Sequence, residues 1–404
     1  MKGLLKAKFI FPAIFIGSLA IFLAHLSYTK TALYSDTRFY YSYTMSWVKD
    51  HDIRLNSELL TLTGTEPLTN SQGLAVNTFW PGVSVFWIPA YWLADNFVNI
   101  VNIFGDFLDN GGTSIVYQIP LAMTSVFFAT FGLYLIYSIL KDYFSKKTSL
   151  LATVTLFSTT NLLFYIAVEP LTSHAISFFT AALFVYYFTK HKNDKNYYLI
   201  LGFLVGVSGL VRVLNSFLII IPIIQIIRNH LKPNYAKAAL DGLKLALALA
   251  AGYLIGFSPQ IYVWKLFFNE FILGPSWGYG FDFKNPHIIH VLFNSQNGLF
   301  TLTPIILFSI LGMILFWKRK KELAFYGLLY FLIQLFLISS WAVYTQAGSY
   351  SIRMLVNTYP LLSFGLAGII DKYKNQFGEN KTIITISFLS VLNAVLIIRY
   401  LLLY

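Results

Sequence analysis

The stretch "YYLILGFLVGVSGLVRVLNSFLIIIPIIQII", residues 197–227, decides the fold. A helix needs about 20 apolar residues to cross a hydrocarbon core of about 30 Å. This run is too long for one ordinary crossing and short for two. If it crosses once, every later segment changes sides. Lys and Arg collect on the cytoplasmic side of short loops, and acidic residues weigh little in that rule. With Lys2, Lys6 and Lys8 inside, the clusters Lys141/Lys146/Lys147, Lys190/Lys192/Lys195, Arg228/Lys232/Lys237, Lys318/Arg319/Lys320/Lys321 and Lys372/Lys374/Lys381 share that side on one condition. Residues 29–113 must stay outside as one long loop, and 197–227 must cross twice as a short hairpin. Gly206, Ser208 and Gly209 can break the helix near its tip. Of the 29 basic residues, this layout leaves outside Lys30, Arg38, Lys49, Arg54, Arg212, Lys265, Lys284, Arg353 and Arg399.

The rest of the chain has the same character. Its 404 residues are 57% hydrophobic, 18% aromatic and 11% charged, with a mean hydropathy of +0.64; a soluble domain carries about a quarter charged residues. Apolar runs cover 9–28, 114–140, 147–168, 172–189, 236–257, 302–317, 322–340, 354–370 and 382–403. With the two arms 197–211 and 213–227, the expectation is an all-α polytopic integral membrane protein of about eleven spans. A single transmembrane domain over 1–404 with no soluble carboxyl-terminal domain is expected. The first run follows three lysines like a signal peptide, but it is too long for a signal core and no A-x-A site follows, so it reads as an uncleaved first span.

The net charge of +12 is explained by topology rather than by a nucleic-acid partner. The absence of cysteine excludes disulfides and thiol catalysis. Two long outer loops, 29–113 and about 259–301, are expected. The first carries "RFYYSYTMSWVKD" and "FWPGVSVFWIPAYWLADNFVNIVNIF", both read as helices lying in the interface, with Tyr40, Tyr41 and Tyr43 as interfacial belt residues.

Most of the 17 acids fall on the outer side, while the inner side is almost purely basic. Chemistry that needs a carboxylate therefore belongs outside. Asp36 follows the first span at membrane-surface depth. It can serve as a general base for a hydroxyl within hydrogen-bond reach, or Ser35 or Asp36 can cap a helix starting near Thr37. Arg38 can pair with a phosphate or snorkel at the interface. Arg212, at the hairpin tip, and Arg353, in "GSYSIRMLVNTYP", are arginines near hydrocarbon, which usually face protein, water or an anion. With Lys265 they are the basic residues placed to hold a phosphate, which suits the planar fork of a guanidinium. Glu169 and His174 in "VEPLTSHAISF" can bind substrate or a divalent ion, or can serve as cap and solvent-facing groups. Asn294, Gln296 and Asn297 in "FNSQNGLFTLTPI" can meet sugar hydroxyls or simply lead the loop into a helix. No His pair has zinc spacing, and there is no Walker loop, G-x-S-x-G or H-E-x-x-H. An outer-face enzyme would then need a substrate energised elsewhere, and a membrane-dissolved one fits.

Several segments, in order, resemble the GT-C superfamily of polytopic glycosyltransferases, near the bacterial aminoarabinose transferases and protein O-mannosyltransferases. They are "SDTRFYYSYTMSWVKDHDIRL" (35–55), "NTFWPGVSVFWIPAYWL" (77–93), "EPLTSHAISFFTAALFVYYF" (169–188), "GLVRVLNSFLIIIP" (209–222), "NPHIIHVLFNSQNGLFTLTPI" (285–305) and "GSYSIRMLVNTYPLLSFGLAG" (348–368). The resemblance implies sugar transfer on the extracytoplasmic face of the cell membrane. The donor would be a polyprenyl-phosphate sugar, and the acceptor a hydroxyl on a glycan, lipid or protein. Asp36, which matches the first-loop Asp of such proteins, would be the general base, and Arg212, Arg353, Lys265 and Arg38 are the donor-phosphate candidates by position. Glu169, His174, Asn297 and Tyr350 would contact substrate. Many relatives carry Glu after the Asp where this chain has Thr37, which weakens a metal role at that position; a divalent ion stays open. A transporter or flippase of lipid-linked glycans is the alternative. It would call for ionisable residues deep in several spans and inverted repeats, of which the sequence holds few and none.

Overall fold

The computed structural model describes residues 7–230, 236–271 and 280–403. Lys2, Lys6 and Lys232, assigned above to the inner side, lie outside the described residues, as do residues 272–279 of the second loop. The helices run α1 (Ala7–Thr29), α2 (Thr37–Lys49), α3 (Asn56–Thr63), α4 (Gly82–Asn102), α5 (Ile115–Leu140), α6 (Lys146–Ser158), α7 (Leu162–Ala167), α8 (Ser173–Lys190), α9 (Tyr197–Val211), α10 (Ile220–His230), α11 (Ala236–Phe268), α12 (Ile288–Phe293), α13 (Leu299–Leu302), α14 (Ile305–Trp317), α15 (Lys321–Ser340), α16 (Tyr359–Phe377) and α17 (Glu379–Leu403). Two 3-10 segments, Val213–Ile219 and Arg353–Thr358, lead into α10 and α16. Among the described residues there is no strand, only isolated bridges at Thr69 with Ala75 and Phe281 with Trp341. Seven helices among the described residues are long and apolar enough to cross a membrane, and Tyr197–Val211 and Ile305–Trp317 are shorter apolar helices. The protein is an all-α polytopic membrane protein. The other expected spans are helical too, but shorter, broken or more polar.

The 197–227 run breaks where expected. Arg212 takes an extended backbone (φ −152°, ψ 120°), and Gly209 lies against Ser216 Oγ as the chain doubles back. Lys192, ahead of the run, and Arg228, behind it, both interact with Glu322 at the start of α15. The two ends of the run therefore return to the same end of the bundle. The arms are held by close helix packing. Gly202 and Gly206 on α9 face the backbone of α11, Gly252 and Gly256 on α11 face the backbone of α9, and none has room for a Cβ. Such small-xxx-small pairs let membrane helices approach closely where no hydrophobic force drives them together.

Ion pairs also separate the two ends. Lys190–Asp142 (2.5 Å), Arg228–Glu322 (3.2 Å), Arg319–Asp371 (2.6 Å) and Lys147–Glu379 join segments assigned to the inner side. Lys49–Asp95 and Asp36–Arg353, both at 3.0 Å, join segments assigned to the outer side. No pair among the described residues joins one set to the other.

Three expectations need correction. The span over 147–168 is broken between α6 and α7. Thr159 and Thr160 bond back to Thr155 and Leu156 carbonyls at 2.7 Å, and Asn393 of α17 donates to the carbonyls of Ser158 and Thr160 at 3.0 Å. Side chains thus satisfy the backbone that the break frees, as the bilayer interior requires. The helix expected to end at 257 continues to Phe268, so the second loop begins helical. Finally, Tyr40, Tyr41 and Tyr43 are buried core residues rather than a belt. Their hydroxyls donate to Ser173 Oγ (3.2 Å), Gly112 O (2.5 Å) and Phe79 O (3.1 Å), because α4 covers Tyr40 and Tyr41 while Tyr43 packs against α3 and Phe267 of α11. Helix α4 does keep an apolar exposed face, Val85, Trp92, Leu93, Phe97 and Ile100, opposite a buried stripe of Val83, Trp87, Tyr91, Ala94 and Val98.

Candidate active site

Asp36 stands at the amino end of α2, and the positions of its neighbours follow from that helix. Thr37 Oγ1 donates to Leu171 O at 3.2 Å and Tyr40 reaches Ser173, so α2 is pinned to the loop between α7 and α8. Asp36 occupies the capping position, but its side chain makes no cap bond. Its Oδ2 pairs instead with Arg353 Nη2 at 3.0 Å, and Ser35 Oγ donates to Oδ1 at 3.3 Å. Both members of the ion pair are largely buried, with about a fifth of each side chain exposed. They line a pocket of about 150 Å³ together with Tyr34, Tyr165, Glu169, Thr172, Gln346 and Ser349.

Arg212 approaches from the hairpin tip. Its Nη1 donates to Ser173 Oγ at 2.8 Å and lies 3.2 Å from His174 Nδ1. With an arginine donating to Nδ1, the proton of the neutral ring sits on Nε2. That Nε2 is buried without a partner. Arg212 and Arg353 lie close enough to interact electrostatically with each other and with Asp36. Two guanidinium groups and two carboxylates, Asp36 and Glu169, thus converge from four separate segments.

The two arginines are presented in the same way. Each precedes or opens a 3-10 turn that runs into a long helix, and the two turns are tied together. Asn357 Nδ2 donates to Asn215 Oδ1 at 2.6 Å and to Tyr330 Oη at 2.9 Å, and Asn215 Nδ2 donates to Ser177 Oγ at 2.9 Å. Gln334 Nε2 adds a bond to Leu214 O at 2.7 Å. This buried network sets the spacing of Arg212 and Arg353. Replacing Asn357 by Ala leaves several buried partners unmatched, each worth about 1–3 kcal/mol. We expect a clear drop in the melting temperature of the detergent-solubilised protein; an unchanged melting point would show that the network does not hold the two turns together.

Backbone strain gathers at the same pocket. Ser35 (φ 49°), Gln346 (φ 53°) and Ala347 (φ 51°) line it in the left-handed region, and Ser351 (φ 55°) lies two residues before Arg353. Non-glycine residues held there cost about 1–3 kcal/mol each and cluster at functional sites.

Burial, the larger cause, and the nearby Asp36 push the Glu169 carboxyl up to about 7, against the opposing pull of Arg353. A carboxyl raised on folding binds its proton more tightly in the folded state. Its contribution to stability is whole below its ordinary value of 4.5 and is lost as pH rises through about 7. Thermal unfolding followed between those pH values should show this decline in the wild type and a flatter profile in Glu169→Gln.

The structure brings together Asp36, Arg353, Arg212, Glu169 and His174. It does not bring four other expected residues to the pocket. Lys265 Nζ bonds Asn269 Oδ1 at 2.7 Å and lies 4.8 Å from the Phe271 ring, because α11 continues past the expected membrane boundary and carries it elsewhere. Arg38 Nε donates to Leu33 O at 3.0 Å and braces the turn before α2. Asn297 Nδ2 donates to Thr345 O at 2.6 Å, so its amide anchors the segment that carries Gln346. Tyr350 is fully buried, with its hydroxyl on Asn393 Oδ1 at 2.9 Å. Sequence reasoning missed Tyr165, Ser173, Gln346 and Ser349. The small-residue run "QAGSYS" ahead of Arg353 is the one sequence signal that an unusual backbone stands there.

No family model matches the sequence, and no curated protein does. Among solved structures the chain is similar to ArnT from Cupriavidus metallidurans in the apo state, with a TM-score of 0.57 and 13% identity over 94% of this chain and 63% of that one. The class this defines is a polytopic membrane protein with an ArnT-like fold. The particular likeness is to ArnT, and at this identity it is a likeness of fold. The chain spans less than two thirds of the length of that ArnT chain.

Proposed function

We propose that the protein is a glycosyltransferase that moves a sugar from a polyprenyl-phosphate donor to a hydroxyl acceptor on the extracytoplasmic face, with inversion at the anomeric carbon. The amino terminus is then cytoplasmic. The observation that carries this reading is the Asp36–Arg353 pair at the pocket wall, with Arg212 beside it. The ArnT-like fold supports it.

In the resting site the Asp36 carboxylate is engaged by Arg353 at 3.0 Å. A donor phosphate entering the pocket competes with Asp36 for Arg353, since a guanidinium binds phosphate as well as carboxylate through its planar fork. Asp36 is then free to accept the acceptor's proton. The acceptor oxygen attacks the anomeric carbon, the bond from that carbon to the phosphate oxygen breaks, and polyprenyl phosphate leaves with an added negative charge. Arg353 and Arg212 stabilise that charge as it develops, in a site from which water is mostly excluded. Glu169, which lines the pocket, would hydrogen-bond a sugar hydroxyl, and the buried His174 would hold Arg212 in position.

The test is direct. The purified protein in lipid vesicles, given synthetic polyprenyl-phosphate sugars and a crude acceptor extract, should release polyprenyl phosphate, read by mass spectrometry. Turnover of nucleotide sugars with no consumption of any lipid-linked sugar would refute the proposed donor class.

A further inference from the structure

A second cleft lies at the other end of α2. It has a volume of about 660 Å³, within the range of about 300–1,000 Å³ usual for ligand sites. Trp47 and Tyr262 line it with 54% and 61% of their surfaces exposed, although nearby aromatic residues of α2 are buried. Between them stand His51, Asp52, Arg54 and Gln72. Asp52 Oδ1 accepts from Ser46 Oγ at 3.0 Å and from Arg54 N at 2.8 Å, which shapes the loop. His51 is held at φ 57°, a backbone strain that serves no packing purpose at an exposed residue.

We infer that this cleft holds an oligosaccharide. Sugar rings present apolar C–H faces and a rim of hydroxyls. Exposed aromatic faces match the first, and the planar donors and acceptors of Arg54, Gln72 and His51 match the second. The mixed lining disfavours a lipid tail, which needs a continuous apolar wall. The thirteen residues of α2 separate this cleft from Asp36 by about 20 Å at 1.5 Å per residue. One molecule engaging both must be an extended chain of several sugars, and the acceptor is such a chain. Its role as acceptor rests on the transferase reading; its binding in the cleft does not.

Titration calorimetry on the full-length protein in nanodiscs tests this, using neutral and acidic oligosaccharides of one to six sugars as probes. Binding should strengthen with chain length. Trp47→Ala and Tyr262→Ala should each weaken it about tenfold, as loss of an aromatic contact surface does, while Trp92→Ala, an exposed aromatic of α4 outside the cleft, binds as tightly as the wild type. No binding to any oligosaccharide, or binding that both cleft variants retain in full, overturns the assignment. So does a cleft whose variants lose affinity for vesicles of anionic phospholipid instead. If oligosaccharides bind in the cleft but no lipid-linked sugar is consumed, the binding site stands and the transferase reading fails.

Discussion

Asp36→Asn is expected to lower the proposed sugar transfer by about 10²–10⁴-fold, the contribution of a positioned general base, and to leave the protein folded. The amide keeps the shape of the carboxylate and can still accept a hydrogen bond from Arg353. The local structure does not depend on the lost charge: α2 is held by Thr37 on Leu171 O and by Tyr40 on Ser173, and Asp36 itself makes no cap bond. A folded protein without transfer separates the base from a structural role. The loss should fall on kcat rather than on the donor KM, because the role proposed for Asp36 is on the acceptor proton. A variant that folds and transfers at the wild-type rate would remove Asp36 from the mechanism.

Arg353→Ala has the second large effect. Loss of one group that stabilises developing oxyanion charge costs about 10²–10³-fold in kcat. Here the ground state suffers as well, because Asp36 loses its partner in a largely buried pocket. Arg353→Lys separates the two roles. A lysine restores a positive charge but not the planar fork, so it should recover thermal stability more fully than activity, and the donor KM should stay high. Steady-state kinetics against a soluble short-chain polyprenyl-phosphate sugar, paired with melting curves, reads both. Equal donor KM and kcat in Arg353→Ala and wild type would move the phosphate site elsewhere.

The pairing of Asp36 with Arg353 also gives the two variants a relation to each other. If phosphate binding is what frees the base, the double variant should lose little more activity than either single variant, because both act on one coupled unit. Independent sites would instead multiply their losses.

The composition and the spacing of basic clusters made the membrane class and the broken hairpin at Arg212 legible without coordinates. These features depend on transfer of residues into lipid and on the sidedness of Lys and Arg, and both are properties of local sequence. Asp36, Arg212, Arg353, Glu169 and His174 were legible for a related reason: a charged or ionisable group beside hydrocarbon stands out against an apolar chain. Which of the charged groups meet was not legible. Arg353 joins Asp36 across more than three hundred positions of sequence, while Arg38, two residues from Asp36, turns back to Leu33 O. Lys265 looked like an equal candidate until α11 ran on past its expected end. The tyrosines of α2 carry the same misdirection. Their composition suits a membrane interface, but α3, α4 and the end of α11 cover them, and burial is set by neighbours that no local pattern encodes. The chain by itself determined that it lives in a membrane and where its ionisable residues stand. Only tertiary packing decided their pairing, because side-chain contacts between distant helices depend on how the close-packed glycine faces and the buried Asn215–Asn357 bond seat the helices against one another.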